Sequence, residues 1–190
     1  MGGKWRSRRI RVPARPGLRP TPDRVRETLF NWLGQDLDGL ACLDLFAGSG
    51  ALGFEAASRG AARVVMVEND RAAAAALERN RAALGATECE IVRGDAAAYL
   101  ARGGERRGAP PAGRFDVVFL DPPFRQNAVP AILGRLGPRL APRARVYVES
   151  AAPVEPVPPW IELKRGGAGQ VSYQLLQWSG DDQGGVPGNV

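Results

Sequence analysis

Residues 43–53 read Leu43-Asp44-Leu45-Phe46-Ala47-Gly48-Ser49-Gly50-Ala51-Leu52-Gly53. An apolar strand runs into a turn of small residues and then into a helix. Gly48 and Gly50 allow a tight turn and a close approach of ligand to backbone. The new helix offers its free N–H groups and positive end to an anionic group. Gly48, Gly50 and Gly53 also fit the dinucleotide glycine spacing, although the chain holds 24 glycines and the pattern alone says little. Its context says more. A second strand, Ala62 to Val67, ends at Glu68, and an acid at that strand end commonly holds ribose hydroxyls. The stretch therefore points to a nucleoside cofactor, without saying which.

Outward from this turn the chain alternates strand and helix. Thr21 caps a helix with Pro22 at its first position, and Val25, Leu29, Trp32 and Leu33 form its apolar stripe up to Gly34. Strands are expected over about 41–46, 62–68, 89–93, 115–120 and 144–149. Helices are expected over about 51–59, 71–84, 96–102 and 127–136. Two further strand-like runs, 160–165 and 171–178, are separated by Gly166-Gly167-Ala168-Gly169, which implies an antiparallel hairpin closing the sheet. Repeated β-α units imply a parallel sheet with helices on both faces. Residues 179–190, polar and glycine-rich, are expected to be a disordered tail.

In such sheets ligands sit outside the carboxyl ends of the strands. That rim gathers Gly48 to Gly50, Glu68, Asp95, Ser150, the hairpin turn and a further motif, Asp121-Pro122-Pro123-Phe124. The prolines fix φ and remove two backbone donors, so carbonyls stand free beside a carboxylate and a flat ring. Such a shelf suits a planar group bearing an amino hydrogen, such as a nucleobase; a proline-rich turn after a core strand is the alternative. Asp95 also reads as a helix N-cap ahead of Ala96, and the two roles are compatible. The loop from Gly103 to Arg114 falls on the opposite rim, which makes Arg106 and Arg107 solvated surface.

Composition excludes several chemistries. The chain has 190 residues, one domain's worth, and no histidine. A Ser-His-Asp triad, a histidine zinc site and a Cys-His pair are thereby ruled out. Cys42 and Cys89 read as buried thiols of a reduced, cytoplasmic protein. No apolar run suggests a membrane span, and no metal site is indicated. Charge is concentrated at one end. Residues 1–30 carry a net +7 while the whole chain carries +6. A basic arm on a near-neutral body is an electrostatic footprint for nucleic acid. Lys4, Arg6, Arg8, Arg9, Arg11 and Arg19, with Trp5 to stack or pack, are its candidate RNA contacts. A solvated tail is the alternative.

Taken together, these motifs resemble a class I S-adenosylmethionine-dependent methyltransferase acting on an exocyclic amine. Five stretches resemble the RsmD family of 16S ribosomal RNA guanine-N2 methyltransferases: residues 18–33, Asp44 to Gly53, Asp121-Pro122-Pro123-Phe124, Tyr147-Val148-Glu149-Ser150, and Ala168-Gly169-Gln170-Val171-Ser172-Tyr173. The likeness spans about residues 2–178. The family pattern has a short strand ahead of Gly2-Gly3-Lys4-Trp5 and a shorter loop over 103–114.

The resemblance implies a Rossmann-like α/β fold: a mostly parallel seven-stranded sheet, an antiparallel strand near the C-terminus, and helices on both faces. It implies a basic arm over 1–20, a methyltransferase domain over 21–178, and S-adenosylmethionine as cofactor. Phe46, Ala47, Gly48, Ser49 and Gly50 would pack against its methionine part, with Thr21 near the amino-acid end. Glu68 would take the ribose hydroxyls, Asn69 would lie near the adenine, and Asp95 with Ala96 would meet the adenine edge. Asp44 would orient the glycine turn. Asp121 and the Pro122 carbonyl would accept the amine hydrogens, Pro123 would stiffen the shelf, and Phe124 would stack on the base. The implied partner is 16S ribosomal RNA or a small-subunit assembly particle, met by a monomer. Three other readings stand beside it. An adenine-N6 methyltransferase uses a similar shelf. An NAD-dependent oxidoreductase fits the glycines but leaves residues 121–124 unexplained. A non-catalytic RNA-binding protein fits the arm alone.

Overall fold

The computed structural model describes residues 1–8, 10, 23–102, 113–123 and 128–180. Thr21, Pro22, Phe124, Arg9, Arg11, Arg19, Arg106, Arg107 and the tail beyond Gly180 lie outside the described residues.

Seven strands form one sheet in the order β3-β2-β1-β4-β5-β7-β6. The strands are β1 Ala41–Asp44, β2 Arg63–Glu68, β3 Cys89–Arg93, β4 Phe115–Leu120, β5 Leu140–Ser150, β6 Trp160–Ala168 and β7 Val171–Trp178. The first five pair in parallel, while β7 runs antiparallel between β5 and β6. The expected seven-stranded, mostly parallel sheet is therefore present. Its central strands are apolar on both sides, as double covering by helices requires.

The helices are α1 Asp23–Leu33, α2 Ala51–Ser58, α3 Arg71–Leu84, α4 Ala96–Ala101 and α5 Val129–Leu136. One core lies beneath α1, α2 and α3, where Leu29, Phe30, Phe54 and Leu77 meet Cys42, Met66, Val117, Phe119 and Tyr147. The other lies beneath α4 and α5, where Tyr99, Leu100, Ile132 and Leu133 meet Leu43, Val65, Val118, Leu120 and Val146. Alternation along each strand sends successive side chains to opposite cores. Val25, Leu29 and Leu33 of the expected α1 stripe are buried, but Phe30 is the fourth buried residue and Trp32 is only half-buried.

Three strand ends differ from expectation by two residues or more. Strand β1 stops at Asp44, because the chain turns from Leu45 to deliver Ala47 N–H to the Val67 carbonyl at 2.9 Å. Strand β5 starts at Leu140, four residues early; Leu140 pairs with Phe115, and the register then shifts so that Arg145 pairs with Val117. Pro142 inside that irregularity masks the strand in the sequence. Strand β6 continues through Gly166 and Gly167 to Ala168, leaving Gly169-Gln170 as the turn. The ring of Tyr173 packs against Gly166 so closely that a Cβ there would lie 2.5 Å from it. The glycines are thus pairing positions rather than loop.

The N-terminal residues are the larger correction. Residues 1–8 do not stand off as an arm. A single 3-10 turn, Gly3–Trp5, lies against α2. Trp5 is 7% exposed and belongs to the α1–α3 core. Its N–H donates to Ser58 Oγ at 2.9 Å, and Ser58 Oγ donates to the Gly2 carbonyl at 2.5 Å. Gly3 sits at φ +60, where a Cβ would fall 1.8 Å from the Ser58 carbonyl oxygen, so only glycine allows this approach.

Candidate functional site

Strand order reverses between β1 and β4: from β1 the chain first builds outward through β2 and β3, then returns to β4 on the other side. Their carboxyl ends form the crevice where ligands bind in doubly wound sheets. Register sets Asp44 beside Phe119. The turn after β1 and the Asp121-Pro122-Pro123 segment after β4 are therefore neighbours.

The turn after β1 is held by carboxylates. Asp44, 2% exposed, accepts from Gly53 N–H at 3.1 Å through Oδ2. Burial pushes its carboxyl up to about 7; hydrogen bonds from the Gly53 and Phe46 backbone oppose that rise, and the Glu68 charge adds to it. Glu68, at the end of β2, accepts from Gly48 N–H at 2.8 Å and from Asp70 N–H at 2.7 Å. Each Glu68 oxygen is thus oriented by one backbone donor, and the side chain remains half-buried at the rim. A carboxylate oxygen accepts about two hydrogen bonds, which leaves capacity for hydroxyl donors.

Gly50 is the pivot between turn and helix. It precedes α2 with φ 81 and ψ 13, a left-handed conformation. A Cβ there would lie 2.6 Å from both Leu77 Cδ2 and the Phe54 ring. Gly50 N–H donates to the Ala47 carbonyl at 2.6 Å, closing the turn. Phe46 and Gly48 are half-buried, while Ala47 and Ser49 are buried.

The remaining rim residues fall where strand polarity predicts. Asn69 is exposed, directly after Glu68. Asp95 is exposed and caps α4, its Oδ1 accepting from Ala98 N–H at 2.9 Å; Ala96 beside it is buried. Asp121 is half-buried, Pro122 buried and Pro123 exposed. On the far side of Pro122, a cleft of about 940 Å³ opens between α5 and residues 151–160. Ser150 lines it, as do Trp160 and Trp178, which meet edge-on at 5.1 Å between centroids.

The RNA candidates separate into two groups. Arg6 and Arg8 are exposed. Trp5 is buried and unavailable to stack on a base, and Lys4 is engaged in an ion pair with Glu88 while lying 4.5 Å over the Trp5 ring. Clustered charge in the sequence did not reveal this, because the anchoring groups Glu55, Ser58 and Glu88 lie far along the chain. The pair Gly2-Gly3 ahead of a tryptophan was the available signal for close packing. Tyr147 and Glu149 stand in the sequence only as part of the stretch Tyr147–Ser150 that carries the resemblance, with no role of their own; their side chains meet at the end of β5.

Comparison with known proteins gives a consistent result. The family model described as conserved hypothetical protein 95 matches residues 1–177. Ribosomal RNA small subunit methyltransferase D of Escherichia coli K12 is 44% identical over 183 residues, covering 93% of this chain and 88% of that protein. The protein of the same name from Haemophilus influenzae is 40% identical, covering 93% and 92%. The solved structure of Escherichia coli yhhF superposes with a TM-score of 0.82 at 42% identity, covering 94% of this chain and 96% of that one. The crevice at the β1/β4 switch, its glycine turn and its Asp-Pro-Pro segment are thus features of a chain that belongs to the ribosomal RNA small subunit methyltransferase D family.

Proposed function

We propose that this protein transfers the methyl group of S-adenosylmethionine to the exocyclic N2 amine of a guanine in 16S ribosomal RNA. The observation that carries the reading is the placement of the glycine turn after β1 next to Asp121-Pro122-Pro123 after β4, across the switch point. Relatives named for methylation of small-subunit ribosomal RNA, at 44% and 40% identity, support the same substrate class.

The donor set suits the cofactor. Glu68 offers acceptors to two ribose hydroxyls, and its own backbone contacts fix their direction. Asn69 and Asp95 flank the place for the adenine. The Phe46–Gly50 turn presents backbone to the methionine part, with Thr21 assigned to the amino-acid end and Asp44 holding the turn from beneath. When bound, S-adenosylmethionine supplies a methyl already activated by positive sulfur. The protein's task is alignment, which is largely entropic.

The acceptor amine of guanine is a poor nucleophile because its lone pair is delocalised into the ring. Asp121 and the Pro122 carbonyl accept its two hydrogens and favour a pyramidal nitrogen. As positive charge grows there, these acceptors bind it more tightly, so they stabilise the transition state more than the ground state. Pro123 stiffens the shelf, and Phe124, next in sequence, is assigned the stacking surface, worth about 1–3 kcal/mol per base. A base must leave its stack to reach this crevice.

In this reading residues 21–178 form the catalytic domain and the 1–20 segment adds basic RNA contacts. The protein acts as a cytoplasmic monomer on the RNA or on an assembly particle. Buried, unbridged Cys42 and Cys89 accord with a reducing compartment. Among the described residues no helix is long and apolar enough to cross a membrane.

Asp121→Ala tests the assignment. Turnover is expected to fall at least about 100-fold, the size of losing one preorganised transition-state contact, while calorimetric affinity for S-adenosylmethionine stays within about twofold. Equal turnover in variant and wild type contradicts the role given to Asp121.

A further inference from the structure

Tyr147 and Glu149 stand two residues apart on β5, so both side chains point to the face covered by α1 and α2. Tyr147 Oη donates to Glu149 Oε1 at 2.8 Å. Glu149 is 4% exposed and Tyr147 is fully buried. Glutamate is rarely buried so completely, and the chemistry set out above makes no use of it. Parallel pairing sets Phe119 beside Tyr147 and Leu120 beside Val148. The next residues along the two strands are Asp121 and Glu149. Burial pushes the Tyr147 hydroxyl far above its ordinary range, with the charge and hydrogen bond of Glu149 and then the charge of Asp121 adding to the rise. Tyr147 therefore stays a protonated donor to Glu149. Tyr173, opposite Glu149 on β7, closes the cluster with its ring 6.5 Å from that of Tyr147.

Strand order gives these charges a direction. Along the rim come Glu68 after β2, the glycine turn after β1, Asp121 after β4, and Glu149 at the end of β5. Neighbouring strands lie about 4.8 Å apart, so Glu149 is one strand beyond the acceptor shelf on the side away from the cofactor turn. In the proposed reaction the S–CH3 bond breaks and its electron pair returns to sulfur. The N–CH3 bond forms from the nitrogen lone pair, and a proton then leaves nitrogen for water or a carboxylate. One positive charge thus moves from sulfur toward nitrogen. Fixed negative charge behind the acceptor favours that movement without reorganising during the step.

We propose that Glu149, held by Tyr147, is a positioning residue of the methyl-transfer site: it braces the rim behind Asp121 and sets a fixed negative charge on the acceptor side. The inference rests on the methyl-transfer reading of the crevice. It adds a second carboxylate to that reading, one strand further from the cofactor.

Glu149→Gln separates charge from shape, since the amide keeps the size and an oxygen that accepts from Tyr147. Its kcat on RNA is expected to fall about tenfold, a fraction of the loss for a direct contact. KM for RNA and Kd for S-adenosylmethionine should each stay within about twofold, and the unfolding temperature should be equal or higher, because a buried charge has been removed. Tyr147→Phe should lower kcat as well, and the double variant should lose little beyond the larger single loss, as residues of one device do. Wild-type kcat in Glu149→Gln overturns the proposal. So does a kcat loss matched by equal losses of cofactor affinity and thermal stability, which marks a structural residue. If the wild type transfers no methyl group to RNA, the underlying reading fails and the pair's role fails with it. An active wild type with unaltered variants defeats the pair alone.

Discussion

Asp44 and Glu68 occupy equivalent strand ends, yet burial sets them to different tasks. Glu68 keeps one side toward solvent, while Asp44 is enclosed and its carboxyl is pushed up to about 7 from the usual 3.8. This shift has a definite consequence for stability. Between about pH 4 and 7 the folded protein retains a proton that the unfolded chain releases, so the Asp44 contribution is fully present below that window and is lost as pH rises through it. The difference in urea midpoint between wild type and Asp44→Asn should therefore move in favour of the variant from pH 5 to pH 8. Movement in favour of the wild type contradicts the burial account. The rim motifs were legible at this scale because a strand, a glycine turn and a helix are contiguous in sequence. So was the Asp95 cap, set by residues three apart.

At the scale of elements, the N-terminal segment shows what a sequence reading lacks. Its positive charge reads as a basic arm for nucleic acid. The structure joins it to α2 through Ser58 and through Glu55, which is 2% exposed and accepts from Gly2 N–H at 2.9 Å and Arg59 Nε at 2.9 Å. Arg26 of α1 approaches the same carboxylate at 3.6 Å. One buried acid thus ties three elements together. Trp5→Ala is expected to cost about 3–5 kcal/mol of unfolding free energy, the range for deleting a large buried aromatic side chain, measured by denaturant titration. A cost below about 1 kcal/mol contradicts its place in the core. The failure has a physical cause. Charge and composition are local properties, whereas the burial of Trp5 depends on Ser58, 53 positions away. The extent of β5 and β6 was hidden for the same reason. Pro142 and Gly166-Gly167 read as breakers until Phe115 and Tyr173 are placed opposite them.

For the whole molecule, fold and chemistry are joined by strand order. The sheet sets the glycine turn, the Asp121-Pro122-Pro123 segment and the buried Glu149 carboxylate in sequence along one rim, while Arg6 and Arg8 stand on a segment packed against α2. Substituting both arginines with alanine should reduce the slope of log K for RNA against log salt by up to about 2, roughly one per phosphate contact, with unfolding midpoint and cofactor affinity unchanged. An unaltered slope makes these residues solvated surface. Deleting residues 1–8 should instead lower stability as well as RNA affinity, since Trp5 leaves with them. The central claim meets its most direct test in one labelling experiment. The protein is incubated with methyl-labelled S-adenosylmethionine and small ribosomal subunits lacking modification, and the RNA is digested to nucleosides. Label in N2-methylguanosine at one position is the predicted result. Label in adenine, or no label in RNA while the cofactor binds, would contradict the account.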